Sequence, residues 1–271
     1  MAVADSKLPA CTEVGARSQR PTLVFLHGIG GRAWGWQDTL EHFAAQGWHA
    51  LAWDMPGYGD SPAIEGLDFD HLADALESLL AHALVPRAVL VGHSLGGMVA
   101  LQSWARHPQR IAGLVLAGSS PAFGHGSGDF QTRFLDDRLA PLEAGQTLAD
   151  IAARLIPAMV GPGAAAEALS RAQACMASIT PEGYRAALQA LVEFEQRAAL
   201  PTITVPTLCL AGEHDRTAAP AVVRRMAEKI PGASYVEMPG AGHLMNFEQP
   251  EAFAAELSTF LDTHFPAETQ P

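Results

Sequence analysis

Three cysteines in 271 residues, Cys11, Cys175 and Cys209, are too few and too widely spaced for a disulfide framework. No Cys-x-x-Cys and no Cys/His cluster at zinc spacing accompanies them, so they read as reduced thiols, with Cys209 a small hydrophobe inside an apolar run. Basic charge is also scarce: 17 Lys+Arg against 29 Asp+Glu give a formal net charge of -12. An acidic chain repels a phosphate backbone. The densest basic pair, Arg224 and Arg225, sits beside Glu228 and Lys229 in an amphipathic stretch, a solvated helix face that leaves nucleic acid without a docking patch. No apolar run reaches the roughly 18 residues of a membrane span, and Asp5, Lys7 and Pro9 interrupt the place of a secretory leader's apolar core. A cytoplasmic protein without a membrane partner is the expectation.

Hydrophobic residues make up 48% of the chain and charged ones 17%, a globular composition, and the length allows one to two compact units. Short apolar runs at 22–26, 49–53, 88–91, 113–117, 207–211 and 234–237 alternate with longer segments at helical spacing, such as 70–84 and 95–107. Continuous apolar runs are what strands buried on both faces require, so the pattern predicts an α/β fold with a mostly parallel sheet flanked by helices. The alternation stops between about 120 and 200. There the chain shows alanine-rich helical pattern at 141–155, 163–177 and 181–199 without a strand, which predicts a helical insertion bracketed at its end by Pro201 and Pro206. The expected division is a discontinuous core, 20–120 and 201–265, with a helical cap at 121–200 before the last strands.

The strand-like run at 88–91 enters Gly92-His93-Ser94-Leu95-Gly96-Gly97 and then a helix. Gly-x-Ser-x-Gly alone is weak, with a chance expectation on the order of 0.1 at this length. Strand–turn–helix context makes it strong: a serine on so sharp a turn has strained backbone angles, and Gly92 and Gly96 must be small for the turn to close. The turn also aims the Leu95 amide and a helix N-terminus at a site of developing negative charge.

On these residues the chain resembles the α/β-hydrolases, and three further segments extend the resemblance over most of its length outside the insertion. Leu26-His27-Gly28-Ile29-Gly30-Gly31 follows a strand and is similar to the family's oxyanion loop, which implies Ile29 as the second amide donor and a structural role for His27. Asp54-Met55-Pro56-Gly57-Tyr58-Gly59-Asp60-Ser61 resembles the family's D-x-P-G-x-G-x-S turn, implying an architectural Asp54. The family order Ser, acid, His implies Asp215, in Gly212-Glu213-His214-Asp215, and His243, in Pro239-Gly240-Ala241-Gly242-His243, as partners of Ser94. Glu213 is expected at the surface, His93 packed behind the nucleophile, and His42, His49, His71, His82, His107 and His264 on helix or surface positions.

A serine nucleophile implies acyl transfer on a small-molecule carboxylic ester or lactone, with no metal and no cofactor. His243-Leu244-Met245-Asn246-Phe247-Glu248-Gln249-Pro250 resembles the H-x-x-N-x-E-x-P tail of the 3-oxoadipate enol-lactonase and non-haem haloperoxidase-like branch, and Thr180-Pro181-Glu182-Gly183-Tyr184 is similar to the same lactonases. Meta-cleavage C–C hydrolases are the alternative, although Leu244 stands where they carry tryptophan. A ligand receptor on the same fold is the alternative from outside catalysis. Gly28, Trp34, Trp36, Phe123 and Leu244 are the expected pocket residues, Met98 and Met245 are expected to fill space, and the assembly is expected to be a monomer or homodimer. The acidic balance favours a neutral substrate unless arginines such as Arg32 or Arg133 reverse the field locally.

Overall fold

The computed structural model of the chain describes residues 8–124 and 129–267; Asp5 and Lys7 lie outside the described residues. Seven strands form one sheet: β1 (Cys11–Val14), β2 (Thr22–Leu26), β3 (Ala50–Trp53), β4 (Ala88–His93), β5 (Ile111–Ala117), β6 (Thr207–Gly212) and β7 (Ser234–Met238). Their spatial order is β1-β3-β2-β4-β5-β6-β7, parallel throughout except for β1, which pairs antiparallel with β3. Helices α1 (Gln37–Ala45), α2 (Phe69–His82) and α3 (Leu95–Arg106) fall in the first half of the chain. A run of four, α4 (Phe130–Glu143), α5 (Leu148–Met159), α6 (Ala166–Ala177) and α7 (Pro181–Val192), separates β5 from β6. After them come α8 (Pro220–Ala227), the single turn α9 (Met245–Glu248) and α10 (Pro250–His264). Among the described residues no helix is long and apolar enough to cross a membrane.

The apolar runs are continuous because alternate side chains of each strand feed two different cores. Along β2, Val24 and Leu26 join Leu51, Trp53, Leu90 and Leu114 on the face covered by α2 and α3. Leu23 and Phe25 join Val89, Val91 and Val115 on the opposite face, where α1 and α10 pack. Trp36 is 2% exposed in this second core, with ring centroids 5.2 Å from Phe25 and 5.9 Å from Phe253. Met98 and Met245 are buried, one in each core. Cys175 and Cys209 are buried free thiols, each pushed up to about 12 by desolvation.

The structure departs from the expected elements in four places. β1 has no apolar run: its residues alternate between exposed and half-buried, as an edge strand does, and it caps the sheet without a continuous core face. Pro141 lies inside α4 rather than opening a helix; the next helix starts at Leu148, where Thr147 and Asp150 form a reciprocal capping box. The helix expected over 181–199 stops at Val192, and Glu195 then bridges Ala122 at the base of the helical run. His49 is not a surface residue. It is 3% exposed at the entrance to β3, bonded through Nδ1 to Thr22 Oγ1 at 2.8 Å and through Nε2 to Glu13 at 2.6 Å, tying β1 to the sheet.

Candidate active site

Ser94 sits between β4 and α3 with φ 55 and ψ -120, a left-handed conformation that costs a non-glycine residue on the order of 1–3 kcal/mol. Surrounding contacts hold it there. The Ser94 amide donates to the Ala117 carbonyl at 2.8 Å, and a Cβ on Gly96 would run into the Leu26 carbonyl, so the turn closes only with glycine at that position. The Ser94 carbonyl accepts from the Ser119 hydroxyl at 2.8 Å and from the Gly97 amide at 3.0 Å. A trans peptide sets its C=O and N–H in opposite directions. Anchoring the Ser94 carbonyl therefore aims the Leu95 N–H away from Ser119, at the N-terminus of α3.

The loop after β2 uses the same device. The Gly28 carbonyl accepts from His27 Nδ1–H at 2.8 Å and from the Gly31 amide at 2.9 Å, which turns the Ile29 N–H of that peptide the other way. His27 Nε2 in turn accepts the Met55 amide at 3.1 Å, so the ring is the neutral Nδ1–H tautomer, and Tyr58 donates to the Ile29 carbonyl at 3.0 Å. Asp54 accepts the Arg32 guanidinium through both oxygens at 2.8 and 3.1 Å and the Ala33 amide at 2.9 Å. Asp54 braces this loop, and the guanidinium of Arg32 is spent on that carboxylate.

Asp215 follows β6 and is 3% exposed. Its Oδ1 accepts the Thr217 and Ala218 amides at 2.7 and 2.9 Å, and its Oδ2 accepts His243 Nδ1–H at 2.8 Å. The His243 backbone is pinned at both ends: its N–H donates to the Met159 carbonyl in α5, and its carbonyl accepts from His93 Nε2–H, both at 2.7 Å. One more carboxylate secures the turn. Glu248 accepts the Gly242 and Leu244 amides on either side of the histidine, at 2.8 and 3.0 Å, and the Gly161 amide just beyond α5 at 2.7 Å. Glu213 is exposed and accepts the Gly240 amide at 2.8 Å. The structure gives no hydrogen bond between Ser94 and His243; both line one cavity.

That cavity, about 320 Å³, lies between the C-terminal edge of the sheet and helices α4 to α7. Gly28, Ile29, Ser94, Phe123, His243 and Leu244 form its sheet side. Asp215 stands behind His243, and Leu95 is buried at the start of α3. Neither tryptophan belongs to it. Trp36 is committed to the core on the far face of the sheet and Trp34 is 37% exposed, because the turn after the oxyanion-type loop leads away from the cavity into α1. Phe134, Arg138, Met159, Met176, Tyr184 and Leu188 form the helical side. Arg138 and the exposed Arg216 carry no sequence signal, and Tyr184, at the end of the lactonase-like segment 180–184, is placed in the cavity only by the structure. Arg133, considered as a source of local positive field, is exposed on α4 outside the cavity lining. Among the described residues no group of three or more His, Cys, Asp and Glu gathers as metal ligands would.

The buried histidines make stability depend on pH. Desolvation lowers His27 to about 4, and desolvation with the neighbouring His243 lowers His93 to about 3, against 6.5 for an unperturbed histidine. Below about 6.5 the unfolded chain takes up two protons that the folded chain refuses, so stability is lost as pH falls through that window. Thermal melts at pH 7.5 and 5.0 are expected to show a lower Tm at 5.0. A Tm unchanged between these pH values would contradict neutral burial of the two rings.

The alpha/beta hydrolase fold family model matches residues 21–250. Among curated proteins, the chain is 31% identical over 248 residues to a pimeloyl-[acyl-carrier protein] methyl ester esterase of Chromobacterium violaceum, covering 90% of this chain and 96% of the relative. It is 27% identical to 3-oxoadipate enol-lactonase 2 of Acinetobacter baylyi, covering 88% and 87%. Among solved structures, a thermophilic esterase from Thermogutta terrifontis superposes with a TM-score of 0.84 at 27% identity over 94% of each chain. With the seven-stranded sheet, the helices on both faces and this match over most of its length, the chain belongs to the α/β-hydrolase fold family.

Proposed function

We propose that the protein hydrolyses a carboxylic ester or lactone bond of a small molecule through an acyl-enzyme on Ser94. The observation that carries this reading is the convergence on one cavity of the strained Ser94 turn and a histidine whose Nδ1–H is held by buried Asp215. That bond leaves Nε2 as the basic nitrogen. In the proposed reaction, Ser94 Oγ attacks the substrate carbonyl carbon as its proton passes to His243 Nε2. The oxyanion accepts the Ile29 and Leu95 N–H groups, each donor contributing about 10²-fold to 10³-fold. Collapse breaks the C–O bond to the leaving group, whose alkoxide takes the proton from His243; a water then gives a proton to His243 Nε2 as it attacks the acyl carbon, and collapse breaks the acyl–Oγ bond as that proton returns to Ser94 Oγ, releasing the acid. Apart from substrate and water, each step uses groups of the chain itself.

Residues 121–200 serve in this reading as a cap over the cavity, excluding water and shaping the acyl and alcohol sites. The esterase and enol-lactonase names of the relatives support ester or lactone chemistry over C–C cleavage. Rates on short esters, lactones and a vinylogous diketone, with intact-mass detection of an acylated protein, test the reading. Ester or lactone turnover with the acyl adduct is expected. Turnover of the diketone alone would transfer the site to C–C hydrolysis, and ligand binding without turnover would make it a receptor.

A further inference from the structure

The chain has three tyrosines, two of which bond through their hydroxyls to described groups: Tyr58 to the Ile29 carbonyl and Tyr235 to Glu237. Tyr184 is 2% exposed, lines the cavity and has no hydrogen-bond partner among the described residues. Its ring is packed while its hydroxyl stays accessible at the cavity, free to donate to a molecule bound there. Arg138 stands on the same side of the cavity, its guanidinium 5.2 Å from the Phe134 ring. Tyr184 is on α7 and Arg138 on α4, helices that pack against each other. Arg171, Arg185 and Arg197 of the same helical region pair with Asp38, Glu143 and Glu195. The side chains of Arg133, Arg138 and Arg154 have no ion pair or hydrogen bond among the described residues, and of these three only Arg138 lines the cavity. The cavity lining contains two arginines, Arg138 and Arg216, and no aspartate or glutamate. In a chain of net charge -12 that is a local reversal of sign.

We propose that Arg138 and Tyr184 form an anion subsite on the helical side of the cavity, and that the ester or lactone cleaved at Ser94 carries a carboxylate. The planar guanidinium fork matches two coplanar carboxylate oxygens, and the phenol adds a neutral donor. One cation facing one carboxylate balances charge. A phosphate dianion would leave about one charge uncompensated in a partly desolvated space. Met159, Met176 and Leu188 make the rest of the helical side apolar, suiting a methylene chain between the reacting carbonyl and the carboxylate. Arg216, exposed at the mouth, draws the anion in. The inference rests on the esterase reading for the reaction but not for the binding.

Two matched ester pairs test it: monomethyl adipate against methyl hexanoate, with the charge on the acyl side, and 4-acetoxybutyrate against butyl acetate, with the charge on the alcohol side. In at least one pair the charged-to-neutral ratio of kcat/KM is expected to fall about tenfold or more in Arg138→Met, and several-fold in Tyr184→Phe, as the loss of a charge-assisted hydrogen bond implies. Arg133→Met removes the same charge from the same helix outside the cavity and is expected to leave the ratio unchanged. Melting curves confirm that each variant is folded. Equilibrium binding of monomethyl adipate to Ser94→Ala reads the subsite without turnover, and adding Arg138→Met is expected to weaken it about tenfold. If wild type cleaves none of the four esters and none of the short esters or lactones named above, the hydrolase reading fails, while the binding measurement still judges the subsite. Ratios and affinity unmoved by Arg138→Met, or moved equally by Arg133→Met, would overturn the proposal.

Discussion

Replacing Ser94 with alanine is expected to lower kcat on the best ester or lactone by roughly 10⁶-fold, the order seen when the nucleophile of a serine triad is removed. The expected result is that specific because the substitution changes little else. Alanine keeps the Cβ and the φ of 55, and the contacts that hold the turn, from the Ser94 amide to Ala117 and from Ser119 and Gly97 to the Ser94 carbonyl, are all made by backbone atoms of residue 94. Circular dichroism and Tm should therefore stay near wild type. The Ile29 and Leu95 amides remain, so a residue of catalysis over water, about 10³-fold to 10⁴-fold, should persist. Turnover within tenfold of wild type, or acyl adducts mapped by mass spectrometry to another residue, would place the nucleophile elsewhere.

The second large effect is expected from Asp215→Asn. Oδ1 of this carboxylate accepts the Thr217 and Ala218 amides, so the asparagine carbonyl oxygen must occupy that place. Its NH₂ group then faces His243, a donor where an acceptor stood. The imidazole answers by presenting Nδ1 as acceptor, which moves its proton to Nε2 and removes the lone pair that should take the Ser94 proton. A fall in kcat of roughly 10⁴-fold is expected with the fold retained, as in serine proteases with the corresponding change. Asp215→Ala contrasts with it: two buried amides lose their acceptor, so Tm should fall as well. Equal activity in wild type and Asp215→Asn would exclude the carboxylate from orienting the base.

What could be read from the sequence follows from how each element is buried. The six strands of the parallel part are covered on both faces or border such strands, so their composition marks them: β2 and β4 contribute buried residues throughout. β1 has four residues, polar on one side, and no local pattern separates it from a loop. The Ser94, Asp215 and His243 motifs sit at ends of strands with fixed neighbours, where backbone geometry forces glycine at particular positions. Nothing comparable constrains the helical side of the cavity. α4 contains no fully buried residue, and although Phe134, Leu135, Leu139 and Leu142 pack against the core, that stripe does not tell that the half-buried Arg138 lines the cavity while Arg133 does not. Trp34 and Trp36 failed as pocket residues for a related reason. Proximity in sequence to the oxyanion-type loop says nothing about which side of the sheet the chain takes next.

The grip of Glu248 on Gly161, Gly242 and Leu244, together with the His243 amide on Met159, has a bearing on how this scaffold can be diversified. The end of α5 and the His243 loop share one carboxylate, so a graft replacing the whole of residues 121–200 would also cut two of the threads that hold that loop. α4 carries no such obligation. A library confined to α4 can recast what the cavity accepts while leaving the contacts that hold His243 as inherited, whereas exchanges reaching Met159 or Gly161 would disturb those contacts along with the lining.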